Sequence, residues 1–232
     1  MRDYSNLQLM LDESVQAARE RIIYVITAYM DARGLVPCDS ASADRTVAFA
    51  RTKGGWAVFD DCADRLDLDA LHGLARCLTS RLKTRAVGIM GFNKGFLIRL
   101  YTNGMLRDTF STVSQLPFKP IRCINCKGHA IRWRPAIRKD AGIGELAAAF
   151  LKSKENPNEG FDELVETLCL DKSAKYGFAS IEDAHLEGVV KLYYHAANHI
   201  RQRWYERLIR VPAKCQGTVS SFLFGKRRLG TK

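Results

Sequence analysis

An Asn-Gly pair at residues 103 and 104 lies between two β-like runs, and it constrains the fold more than any other feature of the sequence. Both central residues of a two-residue type I′ turn need a positive φ, which Asn and Gly adopt most readily. Apolar and β-branched residues are frequent in 96–102 before the pair and in 105–112 after it. The pair therefore predicts an antiparallel hairpin that turns at Asn103 and Gly104.

A third β-like run, 85–92, precedes this hairpin and is separated from it by Asn93-Lys94-Gly95. The three runs together predict a meander over residues 85–112. Nearer the N-terminus, 45–51 and 56–60 flank a Gly-containing break, which is typical of a second hairpin. We therefore expect a sheet that is rich in antiparallel pairs.

Two helices are predicted on either side of the hairpin over 45–60, one over 14–33 and one over 67–83, because apolar residues recur there at helical spacing. Asp67 stands where an N-cap would accept backbone hydrogen bonds. The order helix, hairpin, helix, meander predicts an α+β domain over residues 1–116. We expect its helices to cover one face of the sheet.

The sequence changes in character at Pro117. Residues 117–142 predict a basic, Pro-containing linker or excursion, and residues 143–232 predict a mainly helical C-terminal region with a basic tail. Within that region two helices are expected, with a break at Asn156-Pro157-Asn158, followed by a long helix from Ser180 to about Arg210.

Positive charge is concentrated in the second half of the chain. Residues 1–116 contain 15 basic and 13 acidic residues, whereas residues 117–232 contain 21 basic and 12 acidic residues. A net charge of +9 in one half of a chain whose total is +11 favours a polyanionic partner, such as nucleic acid or an acidic protein surface. A solvated basic surface without a partner is the alternative.

Basic residues alternate with aromatic ones in two segments of this half, which makes them candidates for nucleic-acid or polyanion binding. Arginine side chains neutralise phosphates, and exposed Trp or Tyr rings stack on unpaired bases. Cations at a helix end also offset the helix dipole without any ligand. The candidates are Arg132, Trp133, Arg134, Arg201, Arg203, Arg207 and Arg210.

One Cys pair, Cys123 and Cys126, has the two-residue spacing with which thiolates bind zinc. A tetrahedral site needs two more ligands, and His195 and His199 would share one face of the predicted helix. Nearly 70 residues separate the two pairs, far more than in compact zinc fingers. We therefore interpret the cysteines as ordinary thiols, with no metal and no cofactor; a redox role is disfavoured because no βαβ pattern surrounds them.

Seven cysteines form an odd set without the spacing of a disulfide framework, and the first residues do not resemble a secretory signal. The longest apolar run, 22–30, is too short to cross a bilayer. These features predict reduced thiols, a cytoplasmic location and no membrane-spanning segment.

No nucleotide-binding loop, zinc-protease helix or nucleophile elbow occurs in the sequence. We therefore expect a non-catalytic binding protein that contacts nucleic acid or another protein through its basic C-terminal half. The alternative is a hydrolase or transferase whose site is assembled from residues distant in sequence. A pocket of converging polar groups with shifted pKa values would favour the enzyme, and a flat basic face would favour binding.

Overall fold

The computed structural model describes residues 3–11, 15–117 and 126–197 of the chain. Its central element is an eight-stranded sheet in the order β2-β8-β3-β4-β1-β5-β6-β7. The strands are β1 Tyr4–Met10, β2 Leu35–Pro37, β3 Arg45–Thr52, β4 Gly55–Asp60, β5 Arg85–Phe92, β6 Gly95–Thr102, β7 Met105–Ser111 and β8 Val190–Ala196. The predicted α+β class with an antiparallel-rich sheet is confirmed.

The predicted meander is present as strands β5, β6 and β7. The β5 and β6 strands pair antiparallel from Arg85 opposite Thr102 to Phe92 opposite Gly95. Strands β6 and β7 turn at Asn103 and Gly104, whose φ angles are +50° and +81°. The positive φ at both positions agrees with the type I′ turn expected from the Asn-Gly pair.

Strand β1 lies in the middle of the sheet, between β4 and β5, and sequence analysis did not identify it. Leu7 and Leu9 face one side, whereas Asn6 and Gln8 are buried on the other side. The Asn6 amide donates to the carbonyl oxygens of Ala174 and Tyr176 at 2.9 and 2.8 Å. Buried amides that are satisfied in this way make a central strand look polar in the sequence.

Two helices pack against the first face of the sheet, α1 Val15–Asp31 and α2 Leu68–Leu82. Both match their predicted positions, and Asp67 caps α2 by accepting from the backbone N–H groups of Asp69 and Ala70. The buried residues of this layer include Ile22, Ile26, Leu71, Leu78, Val58 and Met90.

The second face is also covered by helices, which corrects the prediction that helices lie on one face only. Helices α3 Ile143–Glu155 and α4 Pro157–Thr167 contribute Phe150 and Phe161 to a second core with Val87, Ile89 and Ile98. The reason is that β5 and β6 are apolar on both faces, so each face needs a cover. Asn156 caps α4 and Pro157 is its first residue, so the predicted break is a helix start.

The predicted helix from Ser180 to about Arg210 is wrong over its first part. Residues Phe178–Ala184 form a short 3₁₀ helix, and Val190–Ala196 form strand β8, which pairs antiparallel with β3. Val190, Leu192 and Tyr194 pack into the first core, so alternate residues of this segment point inward. The period of two residues, and not the helical period, describes the buried positions here. Residues 198–210 lie outside the described residues.

Residues 1–195 form one compact unit and residues 196–232 a second, of which the structure describes only Ala196 and Ala197. Within the first unit, the segment predicted as a linker supplies Trp133 to the second core. The predicted division of the chain at residues 116 and 142 stays a prediction. None of the described helices is both long enough and apolar enough to cross a membrane.

Candidate anion-binding cleft

A cleft of about 670 Å³ lies between helices α1 and α2 and is closed at one end by the turn between β6 and β7. Its volume is in the range of ligand pockets, which run from about 300 to 1,000 Å³. The α1 wall includes Tyr24, Ala28 and Tyr29 of the helix and Ala32 and Arg33, which directly follow it. The α2 wall includes His72, Gly73, Arg76, Cys77, Ser80 and Arg81, and the turn adds Asn103, Gly104 and Met105.

The charges that line the cleft are all positive. Arg33, Arg76 and Arg81 contribute guanidinium groups, and no Asp or Glu is among the lining residues. Among the described residues, none of the three forms an ion pair with a carboxylate. Guanidinium groups bind phosphate and carboxylate oxygens with two parallel hydrogen bonds, so three of them in one cleft suit an anionic ligand.

Arg33 is held at the cleft by the ring of Tyr29. The guanidinium carbon lies 3.6 Å from the ring centroid, and Nη1 donates to the Tyr29 carbonyl oxygen at 3.4 Å. This approach is possible because residue 73 on the facing helix is Gly. A Cβ at that position would lie 2.6 Å from the Tyr29 hydroxyl and 3.0 Å from Arg33 Nη2. The small residue therefore lets the Tyr29 hydroxyl and the Arg33 side chain lie against α2.

Arg76 is oriented by the Asn-Gly turn. Its Nε donates to the carbonyl oxygen of Gly104 at 3.0 Å, while the Gly104 N–H donates to Thr79 Oγ1 at 3.0 Å. Thr79 in turn donates to the Ala75 carbonyl within α2 at 2.7 Å. The turn that defines the hairpin thus also docks on α2 and positions one of the three arginines.

His72 lines the cleft and contacts the hydroxyl of a buried tyrosine. Its Nδ1 lies 3.2 Å from the hydroxyl of Tyr101, a fully buried side chain of β6. Burial lowers the pKa of His72 below its usual 6.5, and the nearby charges of Arg99 and Arg76 lower it further. The imidazole is therefore neutral at pH 7. If Tyr101 donates to Nδ1, the N–H of His72 is at Nε2.

Cys77 is the thiol of the cleft, and it is half-buried between the two helices. Burial raises the pKa of Cys77 above its usual value, although the charges of Arg81 and Arg33 act in the opposite direction. A thiol in this state is protonated at neutral pH, whereas the thiolate is the nucleophilic form. Cys77 consequently does not have the properties of an activated nucleophile.

The rim of the cleft carries two exposed apolar side chains, Tyr24 on α1 and Met105 at the start of β7. Their exposed fractions are 74% and 56%. Such side chains at the edge of a charged cleft provide apolar contact area beside the arginines.

The first predicted basic segment lies elsewhere, in a 3₁₀ helix over Ala130–Ala136. Arg132 and Arg134 are exposed, but Trp133 has no exposed surface. The Trp133 Nε1 donates to the buried carboxylate of Asp108 at 2.8 Å, so a base has no access to stack on this ring. Arg132 lies 3.6 Å from the same carboxylate.

The other predicted basic residues, Arg201, Arg203, Arg207 and Arg210, lie outside the described residues, as do Cys123 and His199. Cys126 is half-buried beside β7, and burial raises the pKa of its thiol. His195 lies in strand β8, so the prediction that it shares a helix face with His199 is wrong at His195. The structure does not bring Cys126 and His195 into a metal-ligand group among the described residues.

One group of potential metal ligands is present among the described residues, formed by Asp60, Asp61 and Cys62. The buried Asp60 carboxylate already pairs with the Arg45 guanidinium, through Nε to Oδ1 at 3.0 Å and through Nη2. Burial raises the pKa of Cys62 to about 11. The carboxylate is therefore neutralised by an arginine, and the thiol is protonated.

Sequence analysis did not identify the cleft, because Arg33 is 43 residues from Arg76 in the sequence, in a half of the chain whose net charge is only +2. One local signal was present. His72 with Arg76, and Cys77 with Arg81, are spaced four residues apart in the predicted α2, which puts each pair on one helix face.

No family model, curated protein or solved structure matches this chain. The functional proposal consequently rests on the geometry of the described residues.

Proposed function

We propose that this protein is a non-catalytic binding protein for nucleic acid, and that the cleft between α1 and α2 contacts phosphates of the ligand. The supporting observation is the set of three arginines, Arg33, Arg76 and Arg81, without an acidic residue among the cleft lining. Phosphate neutralisation by such side chains releases condensed counterions, which supplies a large part of the affinity of proteins for nucleic acids. The basic second half of the chain would add long-range attraction for the same ligand.

The test is the affinity for a labelled oligonucleotide, measured by fluorescence anisotropy at about 50 mM salt. The variant Arg33→Gln/Arg76→Gln/Arg81→Gln should bind more weakly than the wild type. A charge-matched control is Lys53→Gln/Lys139→Gln/Lys172→Gln, which removes three exposed cations that do not line the cleft. The control should lose much less affinity, because it changes only the net charge.

Equal losses in the two triple variants would contradict the cleft as the contact site and would leave only a general effect of charge. Absence of binding to both single- and double-stranded nucleic acid would contradict the function itself. In that case an acidic protein surface becomes the partner to test.

A second candidate function is a hydrolase or transferase that acts on the bound ligand. The observation that favours it is His72, whose lowered pKa leaves a neutral imidazole in the same cleft, as a general base requires. Incubation of the protein with a labelled oligonucleotide would detect cleavage or transfer directly. A product that is formed by the wild type and lost in His72→Gln, with binding retained, would favour the enzyme over the binding protein.

A further inference from the structure

We infer that the cleft binds a single strand of nucleic acid, with an unpaired base stacked on Tyr24 and adjacent phosphates at the three arginines. This inference rests on the proposed function and specifies its ligand. It depends on where the apolar and the charged side chains lie along the two walls.

Tyr24 is the most exposed large apolar side chain among the described residues, and it lines the cleft. In a folded domain an aromatic ring is usually buried, because it removes a large apolar area from water. A ring with 74% of its surface exposed at the rim of a charged cleft is instead available to a ligand. Aromatic rings of this kind stack on unpaired bases in proteins that bind single strands.

The α1 wall provides space between the aromatic and the basic contact. Tyr24 lies on α1, and Arg33 follows two residues after the end of this helix at Asp31. The helix rises about 10 Å along its axis between Tyr24 and Asp31. The lining residues between them include Ala28 and Ala32, whose short side chains leave the groove open. A strand that rises about 3.4 Å per nucleotide can therefore reach both contacts with a few nucleotides.

The facing side of the cleft has the same combination of contacts. Arg76 and Arg81 on α2 face the groove, and Met105 at the end of the turn is 56% exposed. A thioether packs well against the edge or face of an aromatic ring, and it adapts its shape because the side chain is unbranched. Each side of the cleft thus combines an exposed apolar side chain with arginine, as in grooves that bind single strands without reading their sequence.

A duplex offers phosphates to the arginines but no unpaired base to Tyr24, because its bases are already stacked and paired inside the helix. An acidic peptide uses the arginines but has no bases to stack on Tyr24. Single-stranded nucleic acid is the polyanion that engages both the cations and the exposed ring.

The experiment compares the binding of four probes to the full-length protein: a short oligothymidylate, an abasic strand and a duplex of the same length, and inorganic polyphosphate. We expect the oligothymidylate to bind more tightly than the other three probes. Tyr24→Ala should weaken oligothymidylate binding by roughly 5- to 150-fold, the range that corresponds to loss of one stacked base. Its effect on polyphosphate binding should be small.

Two further variants serve as controls. Tyr24→Phe restores the ring and should recover the affinity that Tyr24→Ala loses. Leu151→Ala truncates a side chain of similar exposure, 65%, on α3 outside the cleft, and it should bind like the wild type.

Equal binding of oligothymidylate and the abasic strand, or unchanged oligothymidylate binding in Tyr24→Ala, would overturn the inference. Tighter binding of the duplex would also overturn it. The proposed function would survive all three results, provided that the arginine variant still weakens binding. Failure of every anionic probe to bind would instead contradict the proposed function.

Discussion

Burial lowers the pKa of His72, and the positive charges of Arg99 on β6 and Arg76 on α2 lower it further. Only Asp69 acts in the opposite direction. The unfolded chain therefore takes up this proton at a higher pH than the folded chain. Folding is stabilised above the ordinary pKa near 6.5, and this contribution is lost as the pH falls below that value.

We predict that His72→Gln reduces the loss of stability between about pH 7 and pH 5, because Gln has no proton to bind. The free energy of unfolding of both proteins, measured by urea denaturation at several pH values, gives the comparison. The difference between them should depend on pH. A constant difference over the whole range would contradict the lowered pKa of His72.

Gly73 is the residue on which the close approach of Tyr29 and Arg33 to α2 depends. Ala is normally more favourable than Gly inside a helix, by about 1 kcal/mol. Here the added Cβ would lie 2.6 Å from the buried Tyr29 hydroxyl. We predict that Gly73→Ala destabilises the protein in thermal or urea unfolding, and that it weakens oligonucleotide binding through the shift of Arg33.

The double variant Gly73→Ala/Tyr29→Phe separates this contact from a general effect of the substitution. Phe lacks the hydroxyl, and the next atom of the Tyr29 ring is 3.6 Å from the added Cβ, an ordinary contact. The hydroxyl forms no hydrogen bond of normal geometry among the described residues, although the Arg45 guanidinium lies near it. The double variant should be more stable than Gly73→Ala alone; the same or lower stability would contradict the proposed clash.

At the level of the elements, α2 is the helix that both supports the sheet and carries two of the cleft arginines. Leu78 is fully buried between α2 and the first face of the sheet. Leu78→Ala should lower the free energy of unfolding by roughly 2–5 kcal/mol, because it removes apolar contacts and leaves a cavity. Leu151→Ala, on the exposed side of α3, should change it by less than about 0.5 kcal/mol. Similar values for the two variants in urea denaturation would contradict the burial of Leu78.

The 3₁₀ helix Ala130–Ala136 is attached to β7 through the Asp108 carboxylate. That carboxylate accepts from the His129 N–H at 2.6 Å and from Trp133 Nε1 at 2.8 Å. We predict that Asp108→Ala costs roughly 1–3 kcal/mol of unfolding free energy, because the buried Trp133 donor and the partly buried His129 N–H lose their acceptor. A neutral effect of Asp108→Ala would contradict this anchoring role.

The elements that the sequence predicted correctly have local signals. Asn103 and Gly104 mark a turn by their φ preference, and Asp67 marks the start of α2 by its capping oxygen. Strand β1 has no such signal, because its Asn6 and Gln8 are buried against the distant segment 172–176 and not exposed to water. The prediction of a helix over strand β8 is wrong because its position between β2 and β3 is set by tertiary pairing, which local periodicity does not contain.

At the scale of the whole molecule, net charge and site location are different properties. The excess of basic residues in the second half predicted a polyanionic partner, but the cleft that the structure describes is built by the first half. Its arginines come together only when α1 and α2 pack side by side, and no carboxylate lines the space between the two helices. Trp133 illustrates the reverse case, because its basic neighbours suggested a stacking platform whereas its ring is in the core.

Salt dependence distinguishes the contributions of the two halves to binding. Each phosphate contact of a single strand changes the slope of log K against log salt by about 0.7, so loss of the three cleft arginines should flatten the slope by about 2. Arg201→Gln/Arg203→Gln/Arg207→Gln should also weaken binding and flatten the slope, if these residues contact the same strand.

The slopes are obtained from anisotropy titrations between about 50 and 200 mM salt. If the two sets of contacts are independent, the sixfold variant should flatten the slope by the sum of the two triple variants, because independent contacts act additively. A slope that responds to Arg201, Arg203 and Arg207 but not to the cleft arginines would assign the phosphate contacts to the C-terminal half alone. The cleft would then not contact nucleic acid, and its three arginines would suit another anionic ligand.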